Sequence, residues 1–369
     1  MGEALRLARL GEGFTRPNPP VGAVVVKAGR AVGRGYHRVA GGAHAEVLAL
    51  REAGTRARGA TLYVTLEPCS TWGRTPPCTE LILRMGVRRV VAAVADPNPR
   101  HRGRGLRMLR ARGGQATLGV GKEEAERILQ PFAKHIRQGL PYVTLKLAAS
   151  IDGKIADATG RSRWITGAAA RREVQALRRR VDAMVVGART AVADNPSLLP
   201  KGGRTGRPYR VIVDARGAVP LTAAVFCDGR ADQTVIATTS RCPRRLQQAY
   251  RDTGAQVWVL PQAGTRVSTR SLVSRLGRAG VLHALCEGGG ELAASLIAEG
   301  VVDELLFFMA PCVIGGRNAP GAIGGVGWPL ASRRCLEFVE ITRVGPDLMI
   351  RARPLQTGRR SGRRPVAGR

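Results

Sequence analysis

The chain has 369 residues, 44% of them hydrophobic and 23% charged, an ordinary globular composition spread over more chain than one core usually organises, so two domains are expected. No run of about 18 apolar residues occurs, and Met1–Gly13 is an Arg-bearing amphipathic stretch without an apolar signal core, so a soluble cytoplasmic protein is expected. The net charge of +32 raises nucleic acid as a partner, because a basic surface gains affinity by releasing phosphate counterions.

Three features weaken that inference. Only six of the 59 basic residues are Lys, the Arg are scattered over both halves, and the 4% aromatic content is too low for a base-stacking platform of any length. The pattern reads as coding bias, and no specific nucleic acid is expected. Seven cysteines show no evenly paired spacing, so reduced thiols are expected.

In chain order, alternating apolar runs at Val21–Lys27 and Arg30–Tyr36, split by a Gly-containing turn, predict a β-hairpin. A helix over Ala43–Ala53, a strand over Thr61–Leu66, a helix over Pro77–Met85 and a strand over Arg88–Ala95 follow at βα-unit spacing, giving a three-layer α/β sandwich. A helix over Glu123–Arg137 leads to the breaker Gly139-Leu140-Pro141, after which a strand starts at Tyr142 and runs to Ala148. The boundary is therefore set at 141/142.

The pattern then restarts with a helix over Ala169–Arg180 and strands near Ala183–Val186, Tyr209–Asp214, Thr234–Thr239, Gln256–Leu260, His283–Cys286 and Glu304–Ala310, with helical segments between several of them. This is a second α/β domain, residues 142–354. Asp194–Arg207, rich in Pro, Gly and Arg, has the composition of a loop bordering a site. Residues 355–369 carry Arg359, Arg360, Arg363, Arg364 and Arg369 among small residues and are expected to be a disordered basic tail.

The chemistry concentrates in His44-Ala45-Glu46 at a helix start, Pro68-Cys69 after a strand, and Cys78 opening the next helix. One imidazole and two thiolates can hold zinc and leave a fourth position for water, while a carboxylate that is not a ligand moves protons, which is the equipment of hydrolytic base deamination. Both thiols near a helix start are helped into the ionised form. Eight residues separate the cysteines where the general deaminase signature has two.

That long segment, ending Gly-Arg-Thr-Pro-Pro-Cys, resembles the loop of the riboflavin-pathway deaminases, and Thr15-Arg16-Pro17-Asn18-Pro19-Pro20-Val21-Gly22 resembles their N-terminal motif. The resemblance implies a cytidine-deaminase-like sandwich with His44, Cys69 and Cys78 as the ligands of one zinc and Glu46 as the proton shuttle. It also makes Asn18 a candidate for holding the pyrimidine ring, the plain alternative being a turn residue before the hairpin. Leu48 and Thr71 stand where histidines are common in the family.

In the second half, Glu287-Gly288-Gly289-Gly290 ends a strand and opens a helix over Glu291–Glu299. Close backbone approach at glycine and unsatisfied helix amides suit an anion such as a cofactor phosphate, although the order is not that of the dinucleotide fingerprint. This segment, with Lys146–Lys154, Arg163–Thr166 and Val192–Pro196, resembles the reductase of the bifunctional riboflavin-biosynthesis family, whose fold is similar to dihydrofolate reductase. The resemblance implies NADPH as cofactor, bordered by Ala148, Trp164, Thr190, Asp194 and Gly289, Gly290, Glu291, Leu292, Ala293, Ala294 and Ser295.

It further implies a sugar-phosphate pyrimidine facing Ser162, Arg178, Leu198, Lys201 and Glu287. Lys201 stands where an Arg is usual and Arg204 could take its role; Arg178 could also belong to a solvated helix face. The implied activity is zinc-dependent deamination of an aminopyrimidine followed by NADPH-dependent reduction of its ribosyl group. A nucleic-acid-editing deaminase with a non-catalytic second domain and a zinc-stabilised scaffold are the competing classes. A homo-oligomer stays open.

Overall fold

The computed structural model describes residues 1–72, 76–202 and 206–355. Gly73-Arg74-Thr75 of the long cysteine loop, Arg204, and the expected tail beyond Leu355 lie outside the described residues.

The N-terminal half contains α1 (Gly2–Arg9), β1 (Gly22–Lys27), β2 (Arg30–Tyr36), α2 (Ala45–Ala53), β3 (Thr61–Leu66), α3 (Cys78–Arg84), β4 (Arg89–Val94), α4 (Arg104–Ala111), β5 (Gln115–Leu118) and α5 (Lys122–Gln138). Its sheet runs β2-β1-β3-β4-β5, with β1 antiparallel to both neighbours and β3, β4 and β5 parallel. Helices cover both faces, and glycines set how closely they lie. A Cβ added at Gly22 would stand 2.0 Å from the Ala4 carbonyl of α1, and on the opposite face one at Gly35 would stand 2.3 Å from the Ala45 carbonyl of α2. That close seating of α2 fixes its first turn, where His44 and Glu46 reside.

The C-terminal half contains β6 (Tyr142–Ser150), α6 (Ala168–Arg178), β7 (Ala183–Gly187), α7 (Ala188–Asp194), β8 (Tyr209–Val213), α8 (Ala224–Cys227), β9 (Thr234–Thr238) and α9 (Arg244–Asp252). It continues with β10 (Gln256–Val259), the small hairpin β11 (Gln262–Ala263) and β12 (Arg266–Val267), α10 (Thr269–Arg278), β13 (His283–Cys286), α11 (Gly290–Ala298), β14 (Glu304–Ala310), β15 (Leu336–Val344) and β16 (Asp347–Pro354). Nine strands form one sheet in the order β10-β9-β8-β7-β13-β6-β14-β16-β15. From β10 to β14 it is parallel, and β16 and β15 close it as antiparallel strands. The parallel strands read as apolar runs because helices bury both faces.

The expected elements are present with boundaries shifted by a residue or two; α2 and α3 start later than predicted, at Ala45 and Cys78. Elements not anticipated from the sequence are α1, α4, β5, the small β11–β12 hairpin and the β15–β16 hairpin. Among the described residues no helix is long and apolar enough to cross a membrane.

The two sheets meet around α5 and the chain start. Lys134 Nζ of α5 lies 2.6 Å from Asp303 Oδ2, and the same oxygen accepts the Val143 amide at 2.7 Å. Burial raises the Asp303 carboxyl above its ordinary value and Lys134 pulls it back. Lys134→Met is therefore expected to cost on the order of 3 kcal/mol, because it leaves a half-buried carboxylate unpaired. Urea unfolding of the variant at pH 8 measures this; a loss below about 0.5 kcal/mol would mean that solvent already screens the pair.

Candidate active sites

His44 is the residue before the first turn of α2, Cys69 follows β3, and Cys78 is the first residue of α3. The sheet thus delivers one imidazole and two thiols to a common point. His44 Nδ1 is 3.2 Å from Cys78 Sγ and 3.6 Å from Cys69 Sγ, and the three ligand atoms lie within 4.8 Å of one another. The Cys78 amide donates to Cys69 Sγ at 3.2 Å.

Hydrogen bonds from Cys78, and then from His44, hold the Cys69 thiol well below its ordinary value, while the bond to Cys69 and burial push Cys78 up. The bond to Cys69 raises His44. Glu46, in the first turn of α2, is only 4% exposed, and burial pushes its carboxyl up, with the charge of Cys69 adding to the effect. Burial thus favours the protonated form of this acid over its charged form.

Asn18 joins this centre through a residue that the sequence reading passed over. Its Nδ2 is 3.1 Å from Nε2 of His37, whose Nδ1 is 3.0 Å from the Ala43 carbonyl. A carbonyl only accepts, so Nδ1 carries the proton and Nε2 accepts from the Asn18 amide. Burial lowers the His37 pKa, which keeps the ring neutral. Its ring meets that of His44 edge-on at 5.6 Å. His37 follows β2 directly, and the only sequence signal for it was its place at the hairpin's end.

The second cluster forms where β13 ends beside β6. Glu287 receives two bonds from Arg178, from Nε at 2.7 Å and Nη2 at 2.6 Å, so Arg178 is turned inward and does not belong to a solvated face. Burial is the largest influence on Glu287 and raises it, but the contributions of Arg178 and Lys146 leave it below its ordinary value. Lys146, another residue the sequence reading did not single out, is lowered by burial and held back by Glu287. Alternation along β6 puts Lys146 on the same face as Ala148.

Gly289 precedes α11, and a Cβ added there would reach 3.4 Å from Thr190 Oγ1, so the two expected cofactor neighbours adjoin. Leu292, Ala293 and Ala294 are buried on α11. The Glu291 carboxylate is turned aside, accepting the Gly325 amide at 3.1 Å and pairing with Arg266, which also donates to Ser295 at 3.1 Å. Trp164 is 69% exposed with the Arg171 guanidinium 4.5 Å from its ring, and Arg163 donates to the Asp194 carbonyl at 3.2 Å.

Leu198 is buried with φ +54°, and the Lys201 amide donates to Gln175 at 2.9 Å. Ser162 is half-buried in the segment before α6. Among the described residues no hydrogen bond joins Ser162, Leu198 or the Lys201 side chain to the Arg178–Glu287 pair.

A family model described as the cytidine and deoxycytidylate deaminase zinc-binding region matches residues 1–94, and one described as the RibD C-terminal domain matches residues 141–350. Riboflavin biosynthesis protein RibD of Bacillus amyloliquefaciens is 45% identical, over 96% of this chain and 95% of its own length. The chain belongs to the RibD family. The protein of the same name from Escherichia coli is 40% identical, over 95% of this chain and 97% of its own.

The solved Acinetobacter baumannii RibD superposes with a TM-score of 0.83 at 35% identity, covering 96% of this chain and 98% of that one. So does a Thermotoga maritima protein described as a diaminohydroxyphosphoribosylaminopyrimidine deaminase and 5-amino-6-(5-phosphoribosylamino)uracil reductase, with TM-score 0.83, 32% identity, and coverage of 96% and 97%. As a RibD protein, this chain is a bifunctional enzyme of riboflavin biosynthesis, with a zinc-dependent deaminase and an NADPH-using reductase. A nucleic-acid-editing enzyme with an inert second domain is not favoured.

The RibD residues fit both groups. Tetrahedral zinc with Zn–S near 2.3 Å and Zn–N near 2.0 Å spaces its ligand atoms by roughly 3.5 Å, and the His44 to cysteine separations of 3.2 and 3.6 Å match that. For NADPH, the glycines before α11 leave backbone amides open to an anion, and the nearby acid is already paired.

Arg178→Met is expected to destabilise the protein by on the order of 3 kcal/mol at pH 8, since it strands the buried Glu287 carboxylate. In the parent protein the lowered Glu287 pKa adds stability that is present above the unfolded value and fades as pH falls. The gap between variant and parent should therefore shrink from pH 8 toward pH 4. A gap independent of pH in denaturant titrations would contradict the assigned charge state.

Proposed function

We propose that residues 1–141 deaminate 2,5-diamino-6-ribosylamino-4-pyrimidinone 5'-phosphate, and that residues 142–354 then reduce its ribosyl group to ribityl. The observation that carries the first half is the convergence of His44, Cys69 and Cys78 with the buried acid Glu46 two residues after His44. In this reading the first three hold zinc. When bound, the zinc supplies the Lewis acidity that makes hydroxide available near neutral pH.

Glu46 takes a proton from the attacking water and delivers it to the ring nitrogen; it then takes the second proton, from the hydroxyl now on the ring carbon, and delivers it to the amine, which leaves as ammonia as the carbonyl forms. Its raised pKa matches that duty. Asn18, its amide nitrogen committed to His37, offers its carbonyl oxygen to ring N–H donors.

In the second half, Ala148, Trp164, Thr190, Asp194 and Gly289–Ser295 border the nicotinamide nucleotide, which supplies the hydride. Arg178, Lys146 and Glu287 form a charged floor for the sugar phosphate, with Ser162, Leu198 and Lys201 beside it. A buried Lys and Arg together hold excess positive charge that a phosphate ester can complete. The reading needs no nucleic acid and places the enzyme in the cytoplasm.

Glu46→Gln should keep wild-type zinc and lose ammonia release by about 100- to 10,000-fold, the usual range for removed acid–base help. Cys78→Ala should instead lose zinc, with activity following the metal. Metal analysis beside an ammonia assay separates the two, and zinc loss in Glu46→Gln would overturn the shuttle role.

Gly289→Asp tests the second half. The site has room for a side chain, so the added carboxylate acts by repelling the cofactor phosphate. NADPH oxidation should fall at least about 100-fold while deamination persists. Retained NADPH oxidation would remove α11 from the cofactor site.

A further inference from the structure

The segment carrying Asn18 leads into β1, yet the C-terminal half holds it in place. Gly13 packs backbone to backbone against that half: a Cβ there would meet the Arg179 carbonyl at 2.6 Å, and one at Gly206 would meet the Gly13 carbonyl at 2.3 Å. Glu12 Oε2 lies 3.7 Å from Arg180 Nε. Arg16 reaches across more deeply. Its Nη2 donates to the Arg207 carbonyl at 3.0 Å, and its guanidinium lies 4.8 Å from the Tyr209 ring centroid.

The charge of Arg16 also bears on Asp182, a buried carboxylate fixed by the Leu282 and His283 amides at 3.0 Å. An Arg that stacks on a ring, donates to a carbonyl and faces an acid is held in one orientation.

From Arg16 the chain passes to the metal centre in few steps. Pro17, Pro19 and Pro20 fix their own φ angles, so the segment is stiff. The Asn18 amide donates to the Thr15 carbonyl at 2.8 Å, and its side chain bonds His37, which holds the Ala43 carbonyl next to His44.

We propose that Arg16 is a positioning residue for the deaminase: by seating on Arg207 and Tyr209 of the reductase half it fixes Asn18 against the pyrimidine ring. The reductase half thereby completes the deaminase's substrate site. The inference rests on the reading that Asn18 holds the ring. Without Arg16 the loop must be ordered by the substrate itself, which draws on binding energy and leaves the proton-transfer step, set by α2 and α3, unchanged.

The test uses the full-length zinc enzyme with Arg16→Ala, Arg16→Lys and Asn18→Ala, each assayed for zinc, ammonia release and NADPH oxidation on the deaminated pyrimidine. Arg16→Ala should raise the deaminase KM about tenfold, with kcat within about threefold, zinc unchanged and reductase constants unchanged. Arg16→Lys, which keeps the charge and loses the planar fork, should recover part of the KM. Asn18→Ala should raise KM as well, and the double variant should show less than the summed effect.

A wild-type KM for Arg16→Ala beside a raised KM for Asn18→Ala would overturn the role of Arg16 and leave that of Asn18 standing. A wild-type KM for Asn18→Ala would sink both. Loss of zinc, or an equal fall in both activities in the two Arg16 variants, would show a folding role and also overturn the proposal.

Discussion

Both reactive centres depend on one constraint: the carboxyl ends of parallel strands must meet the amino ends of helices. At such a junction the strand's last residue, the turn and the first helical amides converge, and the helix dipole favours negative charge. Cys69 follows β3, and Cys78 starts α3, so both thiols lie at a helix's amino end, with Cys69 the one held in the ionised form. Gly289 stands between β13 and α11, at a helix start where backbone amides lack intrahelical partners. The same architectural rule thus governs the His44, Cys69 and Cys78 cluster and the Gly289 turn.

The second half adds charges that the sheet has taken out of water. Arg178, Lys146 and Glu287 sit together at the junction of β6 and β13, two cations on one acid. Burying charges is costly for folding, and two cations on one acid leave one positive charge uncompensated. The same economy appears where the halves meet: Lys134 on Asp303 and Arg180 near Glu12 are pairs formed across the junction. The chain start and α5 are therefore bound to the second sheet by direction-specific contacts, which a flexible tether would not provide.

The metal centre was legible in the sequence because its parts are chemical types at recognisable places, a His-x-Glu at a helix start and cysteines flanking a strand-to-helix turn. The central strands were legible because buried strands are uniformly apolar. The β15–β16 hairpin escaped because its outer strand exposes Leu336, Phe338 and Ile341, although alternation on either side of Gly345-Pro346 carried the signal. His37 and Lys146 escaped for a different reason. Each is an isolated polar residue at or in a strand, and its role comes from partners 19 and 141 positions away, which no local pattern encodes. The docking of Arg16 on Tyr209 is of the same kind.

One chain carries a zinc-dependent deaminase and an NADPH-using reductase. The direct measurement is to incubate the full-length protein with the diaminopyrimidine ribosyl phosphate, with and without NADPH, and follow ammonia and cofactor absorbance together. Ammonia release without NADPH is expected, with NADPH oxidation that lags ammonia and approaches one equivalent per ammonia. NADPH oxidation that precedes ammonia, or ammonia release that requires NADPH, would contradict that order.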